Sequence, residues 1–137
     1  MTTYSIGQAA RLLDVSPETV RRWADAGRLR VERDASGTRV IDGVSLAAHA
    51  RSRADSAPRV PDPAAARTSV RNAFTGIVTA VTTDDVIAQV EVQAGPHRIV
   101  SVVTRDAVEE LGLRVGVRVT ARVKSTHVYV DRPTSKP

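Results

Sequence analysis

The stretch T-S-V-R-N-A-F-T-G-I-V, residues 68–78, decides how the second half of the chain is read. It sets a hydroxyl (Ser69), a guanidinium (Arg71) and an amide (Asn72) directly ahead of an apolar run that Gly76 interrupts. A planar, always-charged guanidinium beside a hydroxyl donor suits a small oxyanion, because such a ligand presents only acceptors. Residues 74–81 are apolar on both faces, the pattern of a strand buried in a barrel or covered by a partner. Strand signals continue downstream. Val86, Ala88, Val90 and Val92 alternate with more polar neighbours, residues 98–104 make a third strand, and turns at 82–85 and 94–97 separate the three. Thr104 caps a short helix over residues 106–111 that Gly112 ends, and residues 118–124 and 127–131 supply two more strands. Five short strands with one helix between the third and fourth predict an OB-like barrel.

Upstream, residues 54–67 contain three prolines among small polar residues and read as a semi-extended linker. The chain before them is helical in pattern. Ser5 and Gln8 form a capping box, and Ile6, Ala9, Ala10 and Leu13 recur at helical spacing. Asp14-Val15 makes a turn, Ser16 caps a second helix with Pro17 at its first position, and Gly27 ends it. Because Val20, Trp23 and Ala24 must face inward, Arg21 and Arg22 face outward, and two helices joined by so short a turn make a helix-turn-helix. Residues 29–33 and 38–41 flank the turn at Asp34–Gly37 and form a hairpin, a wing with Arg33 and Arg39 beside its tip. Asp42 then caps a third helix carrying Val44, Leu46, Ala47 and Ala50. The domains expected are thus 1–53, a linker at 54–67, 68–131, and a tail at 132–137.

Composition narrows the function. The 137 residues carry a formal charge of +5 and no cysteine, which removes disulfide, zinc-thiolate and thiol-nucleophile chemistry. The start lacks the basic and apolar regions of a signal peptide, and no apolar run spans a bilayer, so a cytoplasmic protein without membrane contact is expected. His49, His97 and His127 stand singly among unrelated neighbours, and no catalytic set emerges; the expectation is no enzyme, no organic cofactor and no bare metal cation. Phe74 and Tyr129 are too few aromatic platforms for single-stranded nucleic acid. Two domains near sixty residues each are marginal alone, which favours self-association.

Two resemblances sharpen this. Residues 4–53, and above all S-P-E-T-V-R-R-W-A-D-A-G-R-L, resemble the MerR-like and excisionase-like winged helix-turn-helix families. That resemblance implies double-stranded DNA as partner, contacted by Ser16, Thr19, Arg21 and Arg22 of the second helix and by Arg33, Thr38 and Arg39 of the wing. MerR-type chains usually continue into a long coiled coil, which is missing here. Residues 68–130, with V-T-R-D-A at 103–107, E-L-G-L at 110–113 and V-T-A-R-V-K-S-T at 119–126, resemble the Mop (TOBE, molbindin-like) domain. That resemblance implies molybdate or tungstate held between subunits by Ser69, Arg71, Thr104, Lys124 and Ser125, and an even-numbered homo-oligomer such as a hexamer assembled through the C-terminal domain. Together the two imply a molybdate- or tungstate-responsive transcriptional regulator. The alternatives are a DNA-binding protein whose Mop domain only oligomerises, and a cytoplasmic molybdate storage protein.

Overall fold

The computed structural model describes residues 2–57 and 67–134, so residues 58–66 of the expected linker and 135–137 of the expected tail lie outside the described residues. The chain divides into two compact units, the second spanning residues 65–131.

The first unit contains β1 (Thr3–Ser5), α1 (Ile6–Leu13), α2 (Pro17–Asp25), β2 (Val31–Arg33), β3 (Arg39–Asp42) and α3 (Gly43–Ser56). Its helix starts are set by side chains that satisfy the amides a helix leaves unpaired. Ser5 Oγ accepts from Gln8 N at 3.1 Å while Gln8 Oε1 accepts from Ser5 N at 2.8 Å, so the capping box of α1 is complete. Ser16 Oγ accepts from Thr19 N at 3.2 Å, and the buried Asp42 accepts from Ser45 N at 2.8 Å to start α3. Asp14, left-handed at φ 53°, closes α1, and the positive φ of Gly27 carries the chain away from α2. Ala9, Ala10, Val20, Trp23, Ala24, Leu29, Ile41 and Leu46 form the core.

Two features differ from the sequence reading. Thr3–Ser5 pairs with β3, giving an antiparallel sheet ordered β1-β3-β2 in place of a two-stranded hairpin. Three residues are too few to show a period, and it is the buried Val40, Ile41 and Asp42 of the middle strand that require a neighbour on each side. The third helix continues to Ser56, past the expected boundary at residue 53, with Ser56 Oγ donating to the Ser52 carbonyl at 2.9 Å.

The second unit contains β4 (Asn72–Thr83), β5 (Ile87–Ala94), β6 (His97–Thr104), α4 (Arg105–Leu111) and β7 (Arg118–Val123), in an antiparallel sheet ordered β6-β5-β4-β7. Its twelve-residue first strand is shared between two neighbours. From Asn72 to Ile77 it pairs with β7, and from Ile77 to Thr83 with β5, with a register shift between Val78 and Ala80. The sheet curls where the partners change. Only glycine fits beside that point: a Cβ on Gly76 would lie 2.2 Å from the Gln93 carbonyl oxygen. Val78, Val90 and Val92 are buried inside the curl, with Ile99, Val103, Val108, Leu113 and Val119 packed against them.

The expected five-stranded count is not met. Residues 127–131, read as a last strand, form none: Ser125–His127 is one turn of 3-10 helix, and Val128, Tyr129 and Val130 follow it in the open, Tyr129 at 91% exposure. The alternation that suggested a strand is there, but among the described residues the segment has no ladder to join.

The close approach at residue 76 has a measurable consequence. Gly76→Ala pushes a methyl into backbone and is expected to lower the stability of the β unit by about 1–3 kcal/mol, the usual cost of overpacking. Urea denaturation followed by the strand signal in circular dichroism reads it, and an unchanged midpoint would contradict the role given to Gly76.

Candidate functional site

The antiparallel pairing of β4 and β7 decides which of the candidate oxyanion-binding residues meet. Asn72 stands opposite Val123, and Asn72 Nδ2 donates to the Val123 carbonyl at 3.1 Å. The residues just before β4 therefore lie beside those just after β7, which brings Ser69 and Arg71 to the same end of the sheet as Lys124 and Ser125. All four side chains are exposed. The loop ahead of β4 is tied to itself: Thr68 Oγ1 accepts from Val70 N at 3.1 Å, and Arg71 Nη1 donates to the Thr68 carbonyl at 3.3 Å. That single bond leaves most of the guanidinium fork unengaged. Among the described residues no carboxylate pairs with Arg71 or Lys124.

Thr104 is elsewhere. It ends β6 opposite Ile87, at the end of the sheet where β4 finishes, away from Asn72. Its hydroxyl accepts from Ala107 N at 3.1 Å and caps α4, while Arg105 N donates to the Val86 carbonyl at 2.9 Å. Within one chain the structure brings four of the five candidates together and leaves the fifth apart.

In the first unit the seven candidate contacts divide by what already holds them. Arg21 and Arg22 project from the exposed face of α2, Arg21 with a loose 3.4 Å bond to Glu18 and Arg22 without a carboxylate partner among the described residues. Ser16 and Thr19 bond to one another, hydroxyl to hydroxyl at 2.9 Å, at the start of the helix. Thr38 Oγ1 meets Ser36 Oγ at 3.0 Å. The two hairpin arginines are occupied: Arg33 Nη1 donates to the Gly37 carbonyl at 2.7 Å, and Arg39 Nη2 to Asp25 Oδ1 at 2.9 Å.

Two residues outside the seven candidates, Asp34 at the expected turn and Asp25 at the end of α2, tie this region together. Asp34 accepts from Ser36 N and Thr38 N, each at 2.9 Å, and from Ser36 Oγ at 2.6 Å, so one carboxylate shapes the hairpin tip. The Ser36 hydroxyl, then the Thr38 amide, hold its carboxyl below the usual aspartate range. An aspartate two residues before a serine is a legible turn signal. Asp25 carries no such signal, because its partner is fourteen residues away.

The histidines stay apart. His49 packs on Trp23 with ring centroids 4.5 Å apart, and burial, then Arg53 and Arg28, depress its pKa. His97 opens β6 in the open, and His127 Nδ1 lies 3.3 Å from Thr126 Oγ1. Among the described residues no group of three or more acidic or histidine side chains is placed to hold a cation. No helix there is long and apolar enough to cross a membrane.

The first unit thus sets two adjacent arginines on the exposed face of α2, and the second places two cationic and two hydroxyl side chains at one end of a curled antiparallel sheet. Comparison with known proteins names the parts. Residues 68–130 match the family described as the TOBE domain, and residues 5–41 match the MerR family regulatory protein. Molybdenum-pterin-binding protein 2 of Clostridium pasteurianum is 37% identical over 65 residues, which are 47% of this chain and 91% of that protein. The molybdenum transport protein ModE of Herbaspirillum seropedicae is 41% identical over 65 residues, again 47% of this chain but 24% of that protein. The solved structure of a molybdate-binding protein from Sporomusa ovata is 30% identical, with a TM-score of 0.48, over 49% of this chain and all of that one. The chain belongs to the TOBE-domain family, a member with a MerR-family region at its front.

The tie at the hairpin tip depends on charge. A carboxyl with a depressed pKa stabilises the fold above its unfolded value, and that stabilisation is lost as the pH falls through its folded value. The tip is therefore expected to hold at neutral pH and loosen only in acid, below the usual aspartate range. Hydrogen exchange at the Ser36 and Thr38 amides should rise in Asp34→Ala at neutral pH, and unchanged exchange would contradict this tie.

Proposed function

We propose that this protein is a molybdate- or tungstate-responsive DNA-binding transcriptional regulator, in which a winged helix-turn-helix reads the DNA and the TOBE domain binds the oxyanion between subunits. The observation that carries the ligand half is the gathering of Ser69, Arg71, Lys124 and Ser125 where β4 begins and β7 ends. A dianion leaving water must recover its hydration through several directed donors and a cation, and charge-assisted bonds are about twice as strong as neutral ones. Arg71 and Lys124 supply the charge. Ser69 and Ser125 orient the anion. The relatives named for molybdenum binding and transport point to the same ligand.

The place of Thr104 supports a site shared between copies. It lies at the opposite end of the sheet, so it joins the other four only if a second copy brings it. The β unit also has an apolar concavity lined by Val90, Ile99, Val103, Leu111, Leu113 and Val119, while Val128, Tyr129 and Val130 stand uncovered. Both favour a homo-oligomer built through this unit. An even-numbered assembly such as a hexamer is the form proposed.

The DNA half rests on the MerR-family region and on Arg21 and Arg22, which leave the exposed side of α2 side by side. That is the disposition a helix needs to present cations to a major groove and its flanking phosphates.

Thermal melting of the full chain tests the ligand. Molybdate or tungstate binding only the native assembly must raise the midpoint, and sulfate, smaller at equal charge, should raise it far less. Arg71→Ala should cost about 1.5–3 kcal/mol, roughly ten- to hundredfold in affinity. No shift at millimolar molybdate, or an equal shift in Arg71→Ala, would leave a TOBE domain that only assembles the DNA-binding units.

A further inference from the structure

Asp25 is out of place by simple electrostatics. It is the last residue of α2, where the helix dipole disfavours an anion, and it shares a face with the arginines assigned to DNA. A bare carboxylate there would also repel a phosphate backbone. The structure shows it engaged: Asp25 Oδ1 accepts from Arg39 Nη2 at 2.9 Å, linking the end of α2 to the first residue of β3. Both side chains remain partly in solvent, Arg39 at 40% and Asp25 at 64%. Exposed pairs of this kind contribute little to global stability. What this pair fixes is local, the setting of the hairpin against the helix. On the opposite strand Arg33, the register partner of Arg39, is turned back to the Gly37 carbonyl at the hairpin tip.

We propose that Asp25 and Arg39 are positioning residues that lock the β2–β3 hairpin to α2, so that hairpin and helix meet one duplex as a single surface, and that Arg39 makes no phosphate contact of its own. This deepens the DNA-binding reading above and rests on it. It also makes a counterintuitive demand. Removing a negative charge from a DNA-binding face ordinarily strengthens binding, whereas removing this one should weaken it.

The test is fluorescence anisotropy of the full chain with a labelled mixed-sequence duplex across a range of salt, for wild type, Asp25→Asn, Arg39→Gln, the double variant, and the charge swap Asp25→Arg with Arg39→Asp. Each single variant is expected to bind roughly two- to tenfold more weakly, the double variant no worse than either single, and the swap close to wild type, the pattern of two coupled residues. The dependence of log affinity on log salt should keep its slope in Arg39→Gln, because no phosphate contact is lost. Tighter binding by Asp25→Asn, a slope reduced by about one in Arg39→Gln, or a swap that fails to recover would overturn the proposal and make Arg39 a direct phosphate contact. A wild-type chain that does not bind the duplex at all would overturn the DNA-binding reading itself, a separate and recognisable result.

Discussion

The β unit depends on one close approach, the backbone of Gly76 against the Gln93 carbonyl. That contact lets a single long strand serve two neighbours, β7 along its first half and β5 along its second. Because β7 takes the first half, the cationic loop ahead of β4 lies beside Lys124 and Ser125. Because β5 takes the second, β6 and Thr104 are carried to the other end. The bend that closes the valine core thus also sorts the polar residues into two groups. Thr104 therefore stands apart from Ser69, Arg71, Lys124 and Ser125 within one copy of the chain.

The N-terminal unit works by a different economy. Its core is small, built from alanines, valine, leucine, isoleucine and one tryptophan. Much of its order comes from short polar ties: Ser5, Ser16 and Asp42 start the helices, Asp34 shapes the hairpin tip, and Asp25 links hairpin to helix. Asp25 engages Arg39 and the Gly37 carbonyl engages Arg33, while Arg22 has no carboxylate partner among the described residues. Of these carboxylates Asp25 holds an arginine, while Asp34 and Asp42 accept from serine and threonine donors.

What the sequence could show followed from distance along the chain. The caps at Ser5, Ser16, Asp42 and Thr104 were readable because donor and acceptor lie three residues apart. The pairing of Thr3–Ser5 with β3 was not, since nothing in three residues distinguishes a strand from a lead-in. The V-Y-V alternation at 128–130 misled for a related reason: period-two patterning marks a segment able to pair, and says nothing of whether one chain contains its partner. For the site, the grouping of Ser69 and Arg71 with Lys124 and Ser125 depends on the register of β4 and β7, which family motifs carry implicitly and periodicity does not. The Asp25–Arg39 link joins elements fourteen residues apart, and only the fold could reveal it.

A regulator, as distinct from a store or a scaffold, must couple its two ligands, and coupling is reciprocal: whatever molybdate does to DNA affinity, DNA does equally to molybdate affinity. The direct measurement is the affinity of the full chain for a duplex from its own promoter region, with and without saturating molybdate at constant ionic strength, and with sulfate as control. The account predicts that molybdate changes the affinity by roughly 5–150-fold, the usual span of allosteric coupling, and that sulfate does not. Equal DNA affinity in all three conditions, from a chain that demonstrably binds both molybdate and DNA, would contradict it.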